Sequence, residues 1–260
     1  MFNRPTNTYN VDENIIEAIM QDEANPLNRI CRLIPDGSKV LDIGAGNGLL
    51  ARLLRKRHNS LIVDGIEPEP YAATIAQGYY RHFYTGYAQD FKNMIRGEDY
   101  DFIILADVIE HISDPLDFLK NLCTDLSPQT KIVLSIPNVA FGAVRVALLK
   151  GDFDYVDSGL LERTHLRFFT LKTVETLIAN VNMNIEKLYF LQRNMFSSET
   201  SQTSVSVCCL SDIVRDELAW TYQFLLVLTQ GRVVTEKKIF GEKTRFPLLC
   251  YLVSRLRAKF

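Results

Sequence analysis

A glycine-rich turn directly after a short apolar strand constrains the fold of this chain most. Residues 39–43 (KVLDI) form the strand, and glycines follow at alternate positions, Gly44, Gly46 and Gly48. Glycine lets the backbone turn sharply and lets a ligand approach it closely, and the amides of the next helix then face that ligand. We therefore expect a strand, a ligand-binding turn and a helix over residues 39–57.

The spacing of the glycines narrows the kind of ligand. A dinucleotide-binding turn has the pattern GxGxxG and places a pyrophosphate at the helix N-terminus. Here the pattern is GxGxG, Leu49 follows it, and Asp42 precedes it. A carboxylate beside the turn favours a cationic ligand over a phosphate. A glycine-rich connection without any ligand is the alternative.

Strands and helices alternate on both sides of this turn. The predicted strands are residues 39–43, 60–67, 83–85, 100–106, 131–136, 184–191 and 222–229, and the predicted helices are 49–57, 71–79, 115–125, 171–180 and a helix near 212–219. The run 100–106 (YDFIILA) is apolar throughout, as in a strand buried on both faces. This order predicts an α/β fold with a doubly wound, mainly parallel sheet of seven strands.

The pattern also divides the chain into parts. We expect an N-terminal helical cover at 1–35 split by Pro26, a main domain at 36–230 with an irregular insertion at 138–169, and a basic amphipathic extension at 231–260. The Ser/Thr-rich segment 197–206 is expected to be mobile.

Composition excludes several classes of protein. The net charge is -2, which gives no reason to expect a nucleic-acid partner. No apolar run reaches the roughly 20 residues that span a bilayer, and the polar N-terminus has no signal core. The five cysteines include no CxxC pair, and the four histidines lack metal-binding spacing. We expect a reduced cytoplasmic protein with no metal site.

Several segments in sequence order carry a resemblance to a known family. Residues 40–48 (VLDIGAGNG), 65–68 (GIEP), 90–91 (DF) and 100–115 (YDFIILADVIEHISDP) resemble class I S-adenosylmethionine-dependent methyltransferases. The resemblance covers residues from about 36 to 190 and is closest to the branch with ubiquinone-biosynthesis methyltransferases and methyltransferases encoded with surface-polysaccharide genes. It implies a Rossmann-like methyltransferase fold and S-adenosyl-L-methionine as cofactor.

The resemblance also implies roles for particular residues. The implied cofactor site consists of Asp42, Gly44, Ala45, Gly46, Gly48, Glu67, Pro68, Asp90, Phe91, Ala106, Asp107 and His111. Asp42 and the glycines would line the methionine portion. Glu67 would hold the ribose hydroxyls, and Asp90 would meet the adenine amino group. The end of the fourth strand, at 106–111, would lie near the sulfonium.

The insertion is the expected acceptor site, because it follows the fifth strand and overhangs the carboxyl ends of the strands. Its candidate substrate-binding residues are Asn138, Arg145, Tyr155, Arg163 and Arg167. Charged groups among aromatic rings suit a polar acceptor. The stretch also resembles polysaccharide-cluster methyltransferases, which implies a saccharide, a nucleotide-sugar or a phosphorylated precursor of surface polysaccharide or capsule. The alternative is that Arg163 and Arg167 form surface ion pairs.

Two histidines are candidate catalytic groups. Methyl transfer is an in-line displacement, so positioning contributes much of the rate, and an alcohol acceptor also needs a general base. His165, in the insertion, is the predicted base, and His111, after the fourth strand, is the second candidate. The alternative for His111 is a hydrogen bond that braces its loop.

The C-terminal end leaves several roles open. Residues 246–260 (FPLLCYLVSRLRAKF) join an apolar stretch to a basic end. The segment 245–260 is expected to pack on its own domain, to form a homodimer contact, or to lie on an anionic membrane surface.

Three other functions compete with methyl transfer to a polar small molecule. One is O-methylation of a quinone or another lipid-like acceptor. Another is a catalytically inactive protein that still binds the cofactor. The third is an NAD-dependent short-chain enzyme, which the glycine spacing and the lack of a TyrxxxLys pair disfavour.

Overall fold

Eight strands form one sheet in the computed structural model, which describes residues 11–124, 126–196, 212–231 and 235–241. The strands are β1 (Lys39–Ile43), β2 (Ile62–Glu67), β3 (Phe83–Thr85), β4 (Phe102–Ala106), β5 (Lys131–Pro137), β6 (Asn184–Gln192), β7 (Thr221–Thr229) and β8 (Glu236–Phe240). Their order across the sheet is β3-β2-β1-β4-β5-β7-β6-β8. Strands β1 to β5 are parallel, β7 is antiparallel to both of its neighbours, and β8 is parallel to β6.

Helices cover both faces of this sheet. They are α1 (Glu13–Gln21), α2 (Pro26–Leu33), α3 (Leu49–Arg57), α4 (Pro70–Ala76), α5 (Lys92–Gly97), α6 (Pro115–Cys123), α7 (Gly142–Leu148) and α8 (Leu171–Ala179). Helices α1 to α3 contribute apolar side chains to one core, whereas α6 and α8 contribute theirs to a second core. The predicted doubly wound α/β class is therefore confirmed.

The strand count is one higher than predicted. Strand β8 lies in residues 231–260, which the sequence indicated as an amphipathic extension. It is an edge strand with the sequence EKKIF, and Lys237, Lys238 and Ile239 are exposed. Because short charged edge strands lack an apolar run, their sequences resemble tails.

The segment predicted as an N-terminal cover contains two helices, and the second of them begins at Pro26. The side chain of Asn25 caps α2 by accepting hydrogen bonds from the backbone N–H groups of Leu27 and Asn28, at 3.0 and 3.4 Å. Proline suits the first turn of a helix, where its missing N–H costs nothing.

Some helices differ in extent from the predictions. The predicted helix 71–79 ends at Ala76 and continues as a 3-10 turn at Gln77–Tyr79. The helix predicted near 212–219 is present as one α-helical turn at 212–215, followed by a 3-10 helix at Glu217–Trp220. Helices α5 and α7 were not predicted. The first residue of α7, Gly142, packs so closely that a Cβ there would lie 2.3 Å from the Met195 side chain.

Helix α7 lies inside the insertion, which was expected to be irregular. The insertion has a core of its own, built from Phe141, Leu160, Leu161, Met195 and Trp220, among others. The segments predicted to be mobile (197–206) or amphipathic (245–260) lie outside the described residues. Within the described residues, no helix is long and apolar enough to cross a membrane.

Candidate active site

The glycine turn between β1 and α3 faces the carboxyl end of the sheet. The backbone N–H groups of Gly44 and Ala45 both donate to the carbonyl of Ile66 in β2, at 2.9 and 3.0 Å. Gly44 has a φ of 77°, and a Cβ there would lie 2.6 Å from Val108 Cγ2. Gly46, with a φ of 53°, would meet nothing within 4 Å. The turn is therefore packed against β4 at Gly44 and open at Gly46.

Gly48 starts α3 for a different reason. Its φ is 80°, and a Cβ there would lie 2.9 Å from the ring of Tyr79 and 3.2 Å from Ala76 Cα. A side chain would push the end of α4 away from the turn. The three glycines are thus required by positive φ, and two of them also by close packing.

Asp42 lies beneath the turn and is only 2% exposed. Its Oδ2 accepts a hydrogen bond of 2.7 Å from the Tyr80 hydroxyl. Burial, with a smaller contribution from the charge of Glu67, raises the pKa of Asp42 to about 7, against the lowering effect of the Tyr80 hydrogen bond. Tyr80 was not among the predicted site residues. No sequence motif marks it, because it reaches Asp42 from the loop after α4.

Glu67 closes the turn from the side of β2. Its Oε2 accepts a hydrogen bond of 2.8 Å from the Gly46 N–H, and its Oε1 accepts one of 2.9 Å from the Glu69 N–H. These two bonds join the Glu67 carboxylate to the glycine turn and to the residue before α4. Pro68, beside it, is exposed. In the structure Glu67 also holds the shape of the glycine turn, a role that the sequence did not indicate.

The predicted adenine contacts lie after β3, in the 3-10 helix Ala88–Phe91. Asp90 is exposed, and its Oδ2 accepts a hydrogen bond of 3.0 Å from the Tyr87 N–H. The ring of Phe91 packs 5.2 Å from that of Tyr84. Both residues therefore stand at the same edge of the sheet as the glycine turn, two strands away.

The end of β4 carries Ala106 and Asp107. Asp107 has a φ of 55°, the one positive value at a non-glycine position among the described residues. Its Oδ1 accepts hydrogen bonds from Ser135 Oγ, at 3.2 Å, and from Gln223 Nε2. Burial of its carboxylate raises the pKa of Asp107 although the residue as a whole is exposed, and the charge of Glu162 adds to the effect.

The next turn holds a buried acid, Glu110. It is 1% exposed, and neither carboxylate oxygen has a hydrogen-bond partner among the described residues. Burial, then the charge of Asp107, raises the pKa of Glu110 well above its ordinary value. A protonated carboxyl is the less costly form in such surroundings.

Both predicted catalytic histidines lie beside this acid. The rings of His111 and His165 meet edge to face with centroids 4.8 Å apart. Each Nδ1 is paired with a backbone carbonyl at 3.1 Å, that of Thr164 for His111 and that of Leu160 for His165. Since a carbonyl only accepts, each Nδ1 carries hydrogen, and a neutral ring then has its lone pair on Nε2.

Glu110, His111 and His165 are also the residues best placed to hold a metal ion. One ligand atom from each lies within 4.8 Å of the others. Two imidazoles with a carboxylate form a donor set that zinc uses in proteins, and metal-binding imidazoles commonly donate their other N–H to a carbonyl. The three residues do not have a spacing typical of metal-binding motifs, so the sequence alone does not predict this set. That the protein works without a metal stays a prediction.

The insertion is fastened to the end of β4. The N–H groups of Leu166 and Arg167 donate to the carbonyl of Glu110 at 2.8 and 3.0 Å. The guanidinium of Arg167 also donates to the carbonyl of Ser113. His165, 8% exposed, therefore sits beneath this attachment rather than on the open surface.

The predicted substrate-binding residues are less concentrated than the sequence suggested. Asn138 is fully buried, and its Nδ2 donates to the carbonyls of Leu218 and Thr221, at 3.1 and 2.7 Å. Arg145, in α7 of the insertion, pairs with Asp216 at 2.6 Å.

The other two predicted substrate contacts are on the surface of the insertion. Arg163 pairs with exposed Asp157 at 2.9 Å, so the surface ion pair expected as the alternative is present. Tyr155 is 47% exposed, and its ring packs edge to face on Phe153 at 5.6 Å. Of the predicted set, Tyr155 is thus the one aromatic residue, and its ring is accessible.

A cavity of about 310 Å³ lies between α5 and α6 and is not part of the glycine turn. Ala88, Ile95, Ile112, Phe118 and Asn121 are among its lining residues. It opens beyond the predicted adenine contacts, and none of the residues around the sulfonium position line it.

Comparison with known proteins places the chain in a family. Residues 17–188 match the model of the methyltransferase domain family. The ubiquinone biosynthesis O-methyltransferase of Parvibaculum lavamentivorans is 27% identical over 187 residues, which cover 68% of this chain and 72% of the relative. Its counterpart in Rickettsia prowazekii is 24% identical over 190 residues, covering 71% of each.

Solved structures agree on the fold. A SAM-dependent methyltransferase from Archaeoglobus fulgidus superposes with a TM-score of 0.56 at 14% identity, covering 85% of this chain and 96% of that one. The magnesium protoporphyrin IX methyltransferase of Synechocystis, solved with bound S-adenosylhomocysteine (SAH), superposes with a TM-score of 0.52 at 15% identity, covering 85% and 89%.

The fold and the glycine turn therefore define a class I methyltransferase. This chain belongs to the methyltransferase domain family, and it is an S-adenosylmethionine-dependent enzyme.

The residues of the turn fit this cofactor. The cofactor supplies an activated methyl group on a cationic sulfur. Asp42 and Glu67 bring two carboxylates to one side of the turn, while Gly46 leaves the other side open. A cationic ligand matches this charge better than a pyrophosphate would.

Proposed function

We propose that this enzyme methylates a hydroxyl group of a polar small molecule, either a saccharide or a nucleotide-sugar used for surface polysaccharide. The observation that carries the proposal is an aromatic cluster in the insertion, in which Tyr155 is exposed and Phe153 and Phe168 are half-buried. Tyr155, Phe153 and Phe168 pack together, with ring centroids 5.6 to 6.4 Å apart. Phe168 in turn packs 6.3 Å from His165.

An exposed ring among charged side chains suits a sugar. Tyr155 is accessible, and the ion pair of Arg163 with Asp157 lies in the same segment. Aromatic faces bind the apolar face of a sugar ring, while charged and amide groups bind its hydroxyls. The surface therefore supports a polar acceptor that carries its own apolar face.

The charges near the end of β4 restrict the reacting end of the acceptor. The charge of Glu162 raises the pKa of both Asp107 and Glu110, and the charge of Asp107 also raises the pKa of Glu110. Anionic groups would be repelled there. We therefore expect a neutral hydroxyl at the reacting end, with any phosphate of a nucleotide-sugar farther out.

A quinone or another lipid-like acceptor is the second candidate. The relatives named ubiquinone biosynthesis O-methyltransferases favour it, and so do two exposed leucines at the end of α7. Leu148 and Leu149 are 51% and 55% exposed. Apolar side chains exposed side by side suit an apolar ligand or surface.

Turnover measurements separate the two candidates. Release of SAH would be followed with a panel of UDP-, GDP- and dTDP-hexoses, hexose phosphates and a catechol. Turnover with a hexose derivative, lost in Tyr155→Ala and kept in Leu148→Ser/Leu149→Ser, supports the saccharide. The opposite pattern, with turnover of the catechol alone, contradicts it.

The remaining predictions from the sequence are tested separately. His165 is the general base that the sequence predicts, and Asp107 is the competing candidate described below. An unchanged kcat of His165→Gln at saturating cofactor would remove His165 from the mechanism. We also propose a cytoplasmic enzyme without nucleic-acid partners. Its oligomeric state, monomer or homodimer, is measured by sedimentation equilibrium, and liposome co-sedimentation tests peripheral membrane contact through residues 245–260.

A further inference from the structure

The carboxylate of Asp107 is held by two buried polar side chains from neighbouring strands. Ser135, in β5, is completely buried, and Gln223, in β7, is 5% exposed. Both donate to the same oxygen, Asp107 Oδ1. Ser135 also receives the Asp107 N–H on its Oγ, at 3.1 Å. Side chains from β5 and β7 thus fix the orientation of the Asp107 carboxylate, directly after β4.

The other carboxylate oxygen of Asp107, Oδ2, is available to accept a hydrogen bond from a ligand. Oδ2 accepts no hydrogen bond from any of the described residues, and Asp107 is an exposed residue. A solvated surface aspartate needs no such support. Burying a serine hydroxyl and a glutamine amide costs free energy unless they are paired, so the arrangement favours a fixed carboxylate with one available oxygen.

Asp107 also lies between the two halves of the site. Val108, the next residue, packs against the glycine turn, within 2.6 Å of a Cβ placed on Gly44. Three residues after Asp107, the carbonyl of Glu110 holds Leu166 and Arg167 of the insertion. The available oxygen therefore stands where the cofactor side of the cleft meets the acceptor side.

The backbone of Asp107 supports the same conclusion. Its φ of 55° lies in the left-handed region. Aspartate tolerates this region better than most residues, but the conformation still costs free energy. Unusual backbone conformations of this kind cluster at functional sites.

We propose that Asp107 binds the acceptor hydroxyl and takes its proton, with Ser135 and Gln223 as positioning residues. This inference rests on the proposed function, because it requires a hydroxyl acceptor. The O–H proton moves to Asp107 Oδ2, the new C–O bond forms as the methyl–sulfur bond breaks, and the sulfur leaves as a neutral thioether. The proton is then released to solvent. Asp107, which the resemblance assigned to the cofactor, would act on the acceptor.

The raised pKa of Asp107 agrees with this role. Burial, with Glu162, brings the pKa of the carboxyl closer to neutrality. A general base works best with a pKa near the working pH, because it then accepts a proton readily and is still ionised.

Alkylation in the absence of acceptor tests the placement of Asp107 directly. The probe is an adenosine analogue of the cofactor whose 5′-(2-iodoethyl)amino group closes to an aziridinium. Attack by a carboxylate opens the ring, so a carbon–nitrogen bond breaks and an ester C–O bond forms. Peptide mass spectrometry locates the adduct. We expect it on Asp107 in the wild type and expect much less in Gln223→Leu, where the carboxylate loses a donor.

The kinetics of Asp107→Asn are the second test. The substrate is the hexose derivative that the wild-type enzyme methylates in the panel described above. We expect kcat to fall at least 100-fold while SAH affinity changes less than threefold. Asp117→Asn, an exposed acid on α6, is the matched control and keeps its kcat. Thermal unfolding of each variant separates loss of function from loss of fold.

The outcomes distinguish this inference from the proposed function. An adduct on His165 instead of Asp107, or an unchanged kcat in Asp107→Asn, overturns the role of Asp107. An adduct on Asp107 with no turnover of any hexose supports the placement of Asp107 and refutes the saccharide acceptor.

Discussion

The Tyr80 hydroxyl donates a 2.7 Å hydrogen bond to the carboxylate of Asp42, beneath the glycine turn. The pair links the loop after α4 to the end of β1, and both side chains are buried. Asp42 is therefore held in one orientation, and its protonation depends on Tyr80. We therefore expect cofactor binding to depend on pH.

Affinity for S-adenosylmethionine should rise with pH around neutrality. Burial raises the pKa of Asp42 to about 7, and only the ionised carboxylate attracts a cationic ligand. Below that pKa, each pH unit should weaken binding by up to about tenfold. Titration calorimetry from pH 5.5 to 8.5 measures this, with Asp42→Asn as the pH-independent control.

Tyr80→Phe should move that profile to higher pH. The hydrogen bond from Tyr80 lowers the pKa of Asp42, so its loss raises the pKa and delays ionisation. In the unliganded protein, a raised carboxyl pKa stabilises the fold below the unfolded pKa and loses that contribution as pH rises through the folded value. A profile with the wild-type midpoint in Tyr80→Phe would show that Asp42 does not control the titration.

Gly44→Ala should be more harmful than Gly46→Ala. Both positions have positive φ, which costs a side chain about 1 kcal/mol. Only at Gly44 would the new Cβ also collide, 2.6 Å from Val108 Cγ2. We expect the larger fall in melting temperature for Gly44→Ala and partial recovery in Gly44→Ala/Val108→Ala. Equal losses in both single variants would contradict the packing explanation.

A buried ion pair on β2 should set the stability of the edge of the sheet. Asp64 is completely buried and accepts hydrogen bonds from Arg81 Nε at 2.9 Å and from the Tyr100 hydroxyl at 2.8 Å. Burial raises the pKa of Asp64, but these hydrogen bonds outweigh it and lower the pKa below its ordinary value.

Removal of the ion pair between Asp64 and Arg81 should therefore lower the free energy of unfolding. Arg81→Met leaves a buried carboxylate without its cation, and we expect a loss of about 3 kcal/mol in urea unfolding at pH 7. Because the folded pKa of Asp64 is depressed, this stabilisation is present above the unfolded pKa and is lost as pH falls. Arg163→Met, which removes an exposed pair, is the control and should cost under about 1 kcal/mol.

Glu110→Gln should stabilise the metal-free protein at pH 8. Its buried carboxyl has no hydrogen-bond partner among the described residues and a pKa raised well above the ordinary value, so ionisation at high pH opposes folding. The variant should have the higher melting temperature at pH 8, and the melting temperatures of variant and wild type should converge at pH 6. If Glu110→Gln instead destabilises the protein and stoichiometric metal is found by mass spectrometry, the prediction of no metal is wrong.

Much of the fold could be predicted because its central strands are apolar and follow one another in a regular βα order. The turn at Gly44–Gly48 was predictable for the same reason, since the glycines directly follow β1. Helix α7 and strand β8 were not. Their sequences carry too little periodic apolar character, and contacts made far along the chain, such as Gly142 with Met195, determine them.

The site divides in the same way. Asp42 and Glu67 stand at strand ends that sequence order already locates. The partners of Asp42 and Asp107 were not predictable, because Tyr80 and Gln223 reach the site through folding from segments with no motif. The meeting of Glu110 with His165 likewise depends on the path of the insertion.

Binding of S-adenosylmethionine to Glu67→Gln tests the central claim most directly. The claim is that Glu67 both shapes the glycine turn, through the Gly46 N–H at 2.8 Å, and holds the ribose. By calorimetry at pH 8, we expect one saturable site in the wild type and at least tenfold weaker binding in Glu67→Gln, with the melting temperature lowered. Unchanged affinity in Glu67→Gln would contradict this account of the cofactor site.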